Sequence, residues 1–303
     1  MVMNYKNVLM LGCSNRQLPY AEYFKSKNLN VLIVDKSETT STNGFEQIRI
    51  GYDETLRIIN KLRELNYKPD IVFTAADQIS HIYASQLSDM LHVEYRVTED
   101  LAKIINTKFH YYEMFVEQGL SIPVTEYYTD KKSLDSALIE RLADGAQFYV
   151  KSDYSKNPRY VYRISDQTQL EKVNWTKDRH LQKGYVLQPV VEGECYRINL
   201  FDDMWVVFDF ASGIRVSHDH ALLQGCISKL QNCVKNLELL NEVVKFDVIC
   251  NEINGYSVLD IGLDPPSRLL NHCCENNIDF TKAYCELALG NKKPMKELFE
   301  NFN

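Results

Sequence analysis

With 303 residues, 45% of them hydrophobic, the chain is long enough for two or three subdomains around a substantial core, which excludes a disordered protein. The net charge of -7 comes with scattered lysines and arginines, so no basic stripe marks a phosphate-backbone footprint, and nucleic acid is excluded as the main partner. Val8-Leu9-Met10-Leu11 is too short for a signal-peptide core and no run approaches a bilayer span, so the expectation is a cytoplasmic protein with no membrane partner.

From the N-terminus, Asn7 to Gly12 and Asn30 to Asp35 are short apolar, β-branched runs flanking an amphipathic helical stretch from Leu18 to Lys27. A helix from Asp53 to Leu65, a strand from Asp70 to Ala76 and a helix from Ser80 to Leu91 continue the alternation, which predicts a parallel, doubly wound sheet. Ligands of such sheets bind beyond the strand C-termini, where Gly12, Ser14, Asn15, Arg16 and Asp77 fall. Asp35 matches the acid that holds a ribose in dinucleotide folds, but Gly12-Cys13-Ser14-Asn15-Arg16-Gln17 carries one glycine where a pyrophosphate needs three, which argues against nicotinamide chemistry.

Beyond Asn106 the pattern is α+β. Lys108 to Gln118 reads as a helix closed by Gly119, Ile122-Pro123-Val124 leads into an extended segment, and Ser133 to Ala143 is a helix. Phe148-Tyr149-Val150-Lys151 is a strand carrying a lysine, followed by the polar loop Ser152 to Arg159. Tyr185-Val186-Leu187-Gln188-Pro189-Val190-Val191-Glu192-Gly193-Glu194 reads as a buried strand leaving into a polar hinge. Pro189 keeps its C=O and Val191 its N–H, so the backbone offers both contacts an adenine needs. Tyr196 to Phe201 and Met204 to Phe210 predict a hairpin about Asp202-Asp203, and Ile227, Leu230, Val234, Leu237, Leu240 and Val244 recur at helical spacing. The eight cysteines include no C-x-x-C pair and mostly lie in apolar segments, and His218-Asp219-His220 in a loop is a poor zinc pair, so neither a disulfide framework nor a zinc site is expected.

Asn254-Gly255 between two strand-like runs signals a type I′ hairpin, whose register sets Ile249 opposite Asp260 and Asp247 opposite Gly262. Phe246, Val248, Cys250, Leu259 and Ile261 then share a core face, while Asp247, Asn251, Asp260 and Gly262 share the other. Asp247 and Asp260 become diagonal neighbours about 7–8 Å apart, close enough to share a cation.

Lysine strand, hinge and acidic strand in this order resemble the ATP-grasp superfamily of ATP-dependent ligases. The resemblance implies a Rossmann-like parallel-sheet domain over residues 1–105, an α+β ATP-grasp lid over 106–187 and a C-terminal metal and nucleotide subdomain over 188–303. It further implies ATP on Lys108, Lys151, Ser155, Arg159, Gln188, Pro189, Val190, Val191 and Glu194, and Mg2+ on Asp247, Asp260 and Asp264. Arg268, with Arg197 and Arg215 in reserve, matches the arginine that meets phosphate or intermediate, and Ser14, Asn15, Arg16 and Asp77 would receive the substrate. Asn157, Pro158 and Tyr160 replace the small residues of the family's lid loop, and Gly262 replaces its metal-binding amide.

The activity implied is activation of a small carboxylic acid as an acyl phosphate and its ligation to an amine, by a protein that is a homodimer if it follows the superfamily. The alternative is a relative of weak or no turnover that binds a nucleotide or metabolite. Carboxylation through carboxyphosphate would use the same ATP site.

Overall fold

The computed structural model describes residues 5–37, 44–154, 161–172, 184–217, 221–252 and 255–302. Its leading unit comprises β1 (Asn7–Leu11), α1 (Leu18–Ser26), β2 (Asn30–Val34), β3 (Glu46–Ile48), α2 (Thr55–Glu64), β4 (Ile71–Thr74) and α3 (Ser80–Leu91). All pairings are parallel, in the order β3-β2-β1-β4. β1, β2 and β4 are covered on both faces, which is why they read as unbroken apolar runs. The edge strand β3, Glu-Gln-Ile, is too short and polar to show a period and is an addition to the expected elements.

Two helices follow, α4 (Glu99–Asn106) and α5 (Lys108–Glu117). Sequence reasoning places no helix at α4, although its start carries a recognisable signal: the Thr98 hydroxyl accepts from the Leu101 N–H at 3.3 Å, and Glu99 and Asp100 occupy the first turn. The lid contains β5 (Glu126–Tyr128), α6 (Lys131–Leu142), β6 (Phe148–Ser152), β7 (Val161–Ile164), α7 (Gln167–Lys172) and β8 (Tyr185–Pro189), with an antiparallel sheet ordered β5-β8-β6-β7. Leu134, Leu138, Phe148, Val150, Ile164 and Leu187 form its own small core.

The C-terminal part comprises β9 (Glu194–Phe201), β10 (Met204–Asp209), α8 (Ala221–Asn236), β11 (Val244–Asn251), β12 (Gly255–Gly262), α9 (Ser267–Glu275), α10 (Phe280–Ala288) and α11 (Lys293–Glu300). Its antiparallel sheet runs β10-β9-β11-β12. Phe201 pairs with Met204 across the expected Asp202-Asp203 turn. The helical spacing projected to Val244 overruns: α8 stops at Asn236, Glu238 takes a positive φ of 57°, and Val244 opens β11. Leu237, Leu240 and Val244 still pack in or against the same core as α8, so their spacing reflects a shared burial rather than a shared helix.

Two cores cross the unit boundaries. α4 and α5 pack with one face of the C-terminal sheet and α8, whereas α10 and α11 pack with β10 against the leading sheet, where Tyr284 lies 5.9 Å from Phe73. Between them lies a buried ion pair. The Arg96 guanidinium approaches the Glu242 carboxylate at 3.3 Å and covers the Tyr284 ring at 5.2 Å, and the Glu242 side chain is 0% exposed. Removing one partner strands the other charge away from water, so Glu242→Ala is expected to cost about 3–5 kcal/mol in urea denaturation, whereas Arg96→Met with Glu242→Leu is expected to be nearly neutral.

Candidate functional site

Lys108 is the first residue of α5, where it sits because the lid holds that helix's N-terminus. The Lys108 N–H donates to the Asp153 carbonyl at 2.9 Å and the Phe109 N–H to Asp153 Oδ1 at 2.8 Å, while the Asp153 N–H donates to the Gly184 carbonyl at 3.1 Å. Asp153, one residue beyond β6, thus supplies a carboxylate to the positive end of α5. The Lys108 side chain is buried, and burial pushes its ammonium down to about 8; Asp260 pulls it back up, Lys151 pushes it further down, and Asp153 pulls up.

Lys151 points from β6 to the same region. Its Nζ donates to the Tyr112 hydroxyl at 2.9 Å. That hydroxyl donates to the Leu259 carbonyl at 2.7 Å and lies 3.2 Å from Gln188 Oε1, and Gln188 Nε2 donates to Thr125 Oγ1 at 2.7 Å. Tyr112 therefore joins α5, the lid strands β6 and β8, and β12. The expected buried Gln188 spends its amide on this scaffold.

At the hinge, the Val190 N–H donates to the Gln147 carbonyl at 2.9 Å. Antiparallel alternation then turns the backbone of Pro189, opposite Phe148, away from β6, which explains why a residue without N–H is tolerated. Gly193 has φ +146°, and a Cβ there would lie 2.2 Å from the Cys250 carbonyl, so the hinge passes against β11 where no side chain fits. Glu194 is exposed and accepts from the Tyr196 hydroxyl, while burial pushes the neighbouring Cys195 thiol up to about 12.

The acidic face differs from its expected register. Asp247 lies directly opposite Asp260 rather than diagonal to it, and Lys245, not Asp247, pairs with Gly262. The cause is a bulge between Asp247 and Val248 that inserts Leu259, since Val248 pairs with Val258; Val258 takes the core position assigned to Leu259. Asn254 of the expected turn lies outside the described residues, and Gly255 already belongs to β12.

The carboxylates are also engaged. Arg197 on β9, opposite Asp247, donates Nε to Oδ1 at 2.7 Å and an Nη to Oδ2 at 2.8 Å, and Lys245 Nζ lies 2.6 Å from Asp264 Oδ2. Asp247 holds Arg197 firmly charged against the opposing effect of burial. Asp260 is exposed. Among the described residues no group of three or more His, Cys, Asp or Glu side chains is disposed to hold a metal ion. The expected magnesium set of Asp247, Asp260 and Asp264 is thus not assembled: a guanidinium fork covers one acid, an ammonium another, and residue 262 has no side chain. These residues do not fit a divalent metal held between carboxylates.

Arg268 donates to the Phe210 carbonyl and lies 4.9 Å over the Phe210 ring, whose centroid is 5.2 Å from Arg197, so those two arginines converge. Arg215 is exposed beside β10 through its bridge to Phe208, away from that convergence in its contacts. Ser14, Asn15 and Arg16 are exposed at the C-terminal edge of the leading sheet. Asp77 accepts from Tyr52 Oη at 3.1 Å and from the Ser80 N–H at 3.0 Å. Asp35, the ribose-like acid, instead accepts from the Cys13 and Ser37 N–H groups at 2.7 and 2.8 Å. Between α3, α4 and the start of α5 on one side and the residues after β6 on the other lies a cavity of about 590 Å³ lined by Tyr83, Lys103, Thr107, His110, Asp153 and Tyr154. Ser155, Arg159 and His218-Asp219-His220 lie outside the described residues.

Sequence reasoning does not single out Tyr112, Asp153 or Lys245. Asp153 had a signal in its position two residues after Lys151; the others become visible only when strands and helix are brought together.

The whole-chain arrangement is the ATP-grasp fold. An N5-carboxyaminoimidazole synthetase from Staphylococcus aureus, solved with ADP, is 13% identical with a TM-score of 0.72 over 96% of this chain and 79% of that one. An L-amino acid ligase from Bacillus licheniformis is 15% identical, TM-score 0.72, over 95% and 75%, and a D-alanine–D-alanine ligase from Bacillus anthracis is 15% identical, TM-score 0.64, over 97% and 98%. No family model matches the sequence. No curated protein sequence matches it. No described helix is long and apolar enough to cross a membrane.

The depressed ammonium of Lys108 has a stability signature. An unfolded lysine titrates near 10.4, so between pH 8 and 10.4 the unfolded chain binds the extra proton and this residue's contribution to stability rises with pH, by about 1.4 kcal/mol per unit at most. Thiols and tyrosines exposed by unfolding titrate in the same range, so the expected observation is a difference: from pH 7.5 to 9.5, denaturant-measured stability of the wild type gains on that of Lys108→Met.

Proposed function

We propose that this protein is an ATP-dependent ligase that activates a small carboxylic acid as an acyl phosphate and joins it to an amine. The observation that carries the reading is the convergence of the buried Lys108 with Lys151 beside Asp260, at the junction of lid and C-terminal sheet. Two ammonium groups set in one cleft favour a polyanion beyond the carboxylates already there, and nucleotide phosphates would supply it. In this reading Lys108 and Lys151 meet the phosphates, with Ser155 and Arg159 of the lid loop. The Pro189 carbonyl and Val191 N–H meet the adenine, Gln188 and Val190 hold that hinge in place, and Glu194 meets the ribose. Arg268, steadied beside Arg197 on Phe210, meets the transferred phosphoryl group. Ser14, Asn15, Arg16 and Asp77 border the space for the acceptor, which the neighbouring cavity extends.

The chemistry requires no side-chain nucleophile. A carboxylate oxygen of the substrate attacks the γ-phosphorus, the bond to the β-phosphate oxygen breaks, and ADP leaves. The amine nitrogen then attacks the acyl carbon, and phosphate departs with the electron pair of the C–O bond. The protein's part is orientation and charge: fixed cations offset the charge that moves onto the leaving oxygens. The three subdomains keep the boundaries 1–105, 106–187 and 188–303, and a cytoplasmic homodimer completes the reading.

The ion pairs Arg197–Asp247 and Lys245–Asp264 favour a second reading, a protein that binds nucleotide with little turnover. ATP at about a hundred times its dissociation constant is expected to stabilise the wild type by about 2.7 kcal/mol in a thermal titration, and Lys151→Ala to lose that gain. ADP release that requires both a carboxylate and an amine supports the ligase. Binding without release across broad pools supports the second reading, and absence of any shift at millimolar ATP rejects both.

A further inference from the structure

The charged face of the C-terminal sheet is laid out in two rows. In one, Arg197 of β9, Asp247 of β11 and Asp260 of β12 lie side by side; in the next, Asn199, Lys245 and Gly262 do. Lys245 and Gly262 fit together sterically. A Cβ built on Gly262 would lie 2.2 Å from Lys245 Cε and 3.1 Å from its Nζ. The lysine stem therefore occupies the space from which any side chain of residue 262 would start, and its ammonium is anchored 2.6 Å from Asp264. Along the first row, both Asp247 oxygens are taken by the planar fork of Arg197, a geometry matched to carboxylate and difficult for a metal to displace.

A divalent cation bridging phosphates needs carboxylate oxygens open to it. Here the same carboxylates hold two side-chain cations whose side chains remain partly accessible, at 15% for Arg197 and 17% for Lys245. Guanidinium and ammonium groups donate directly to phosphate oxygens, so the positive charge a metal would bring is already covalently part of the chain. We propose that Lys245 and Arg197 take the place of a divalent cation at the phosphate end of this site, so that nucleotide binding does not depend on magnesium. The proposal rests on the nucleotide reading above. It also assigns a reason to Gly262: the missing side chain makes room for the lysine.

The test is calorimetric titration of the full chain with ADP and with ATP, once in Mg2+ and once in EDTA. Dissociation constants within about threefold of each other in the two conditions are expected, and a loss of about tenfold or more in EDTA overturns the proposal. Lys245→Met keeps the stem in the Gly262 niche and removes the charge; it is expected to weaken binding in EDTA about tenfold or more, and unchanged binding overturns the role of Lys245. The wild-type comparison stands even where that variant does not fold. Lys151→Ala, titrated alongside, ties the heat signal to this site. Absence of nucleotide binding by the wild type in both conditions defeats the nucleotide reading itself, and the proposal with it, a result distinct from binding that merely requires metal.

Discussion

Charge pairing at the junction of lid and C-terminal sheet is the constraint on which the rest of the site depends. Lys108, Lys151, Arg197 and Lys245 lie among Asp153, Asp247, Asp260 and Asp264, and the groups feel one another through Asp260, which acts on both Lys108 and Arg197. Burial makes any imbalance expensive, since an unpartnered ion in a poorly solvated cleft either changes protonation or draws in a counter-ion. β11 is central to this arrangement because it lies between β9 and β12 and presents Lys245 and Asp247 on one face. Its opposite face, with Phe246 and Val248, belongs to the core shared with α4, α5 and α8. The same strand thus fixes the charges and anchors them to the packed interior.

Tyr112 performs the complementary task for the neutral part of the cleft. One hydroxyl is reached by a lysine from β6, lies by a glutamine from β8 and donates to a backbone carbonyl of β12. Because its ring is also buried among Tyr111 and Phe115, the position of Lys151 is referred to the helix core and not only to the lid. The Arg96–Glu242 pair does the same at the other boundary, tying the leading unit to the C-terminal sheet.

The parts legible in the sequence are those whose burial is dictated by local period. The doubly covered strands of the leading sheet, the Asp202-Asp203 hairpin and the lysine on β6 follow from runs of a few residues. β3 and α4 escape because one is a three-residue edge strand and the other is an eight-residue helix, too short for Leu101, Ala102, Ile104 and Ile105 to establish a helical period. The register of β11 and β12 fails for a different reason. A bulge changes parity at one point, and hydrophobic alternation alone does not reveal it because Val258 and Leu259 are both apolar. Alternation nevertheless puts both acids on one face, and the bulge brings Asp247 and Asp260 directly opposite each other. What no local pattern contains is the pairing of Arg197 with Asp247 and of Lys245 with Asp264, since it joins β9, β11 and the residues that follow β12.

The Asp153 clamp has a mechanical consequence. Asp153 lies two residues from Lys151 and binds the backbone of Lys108 and Phe109, so it marks a pivot between the lid and the helix that carries the first lysine. In any rigid rotation about such a point, displacement grows with distance from the axis. Atoms of α6 and the outer strand β7 would sweep widely while the two ammonium groups near the pivot would keep almost the same separation. The end of the cleft that holds Lys108 and Lys151 would thereby keep its geometry in any such rotation, which would act mainly on the part of the cleft farthest from it.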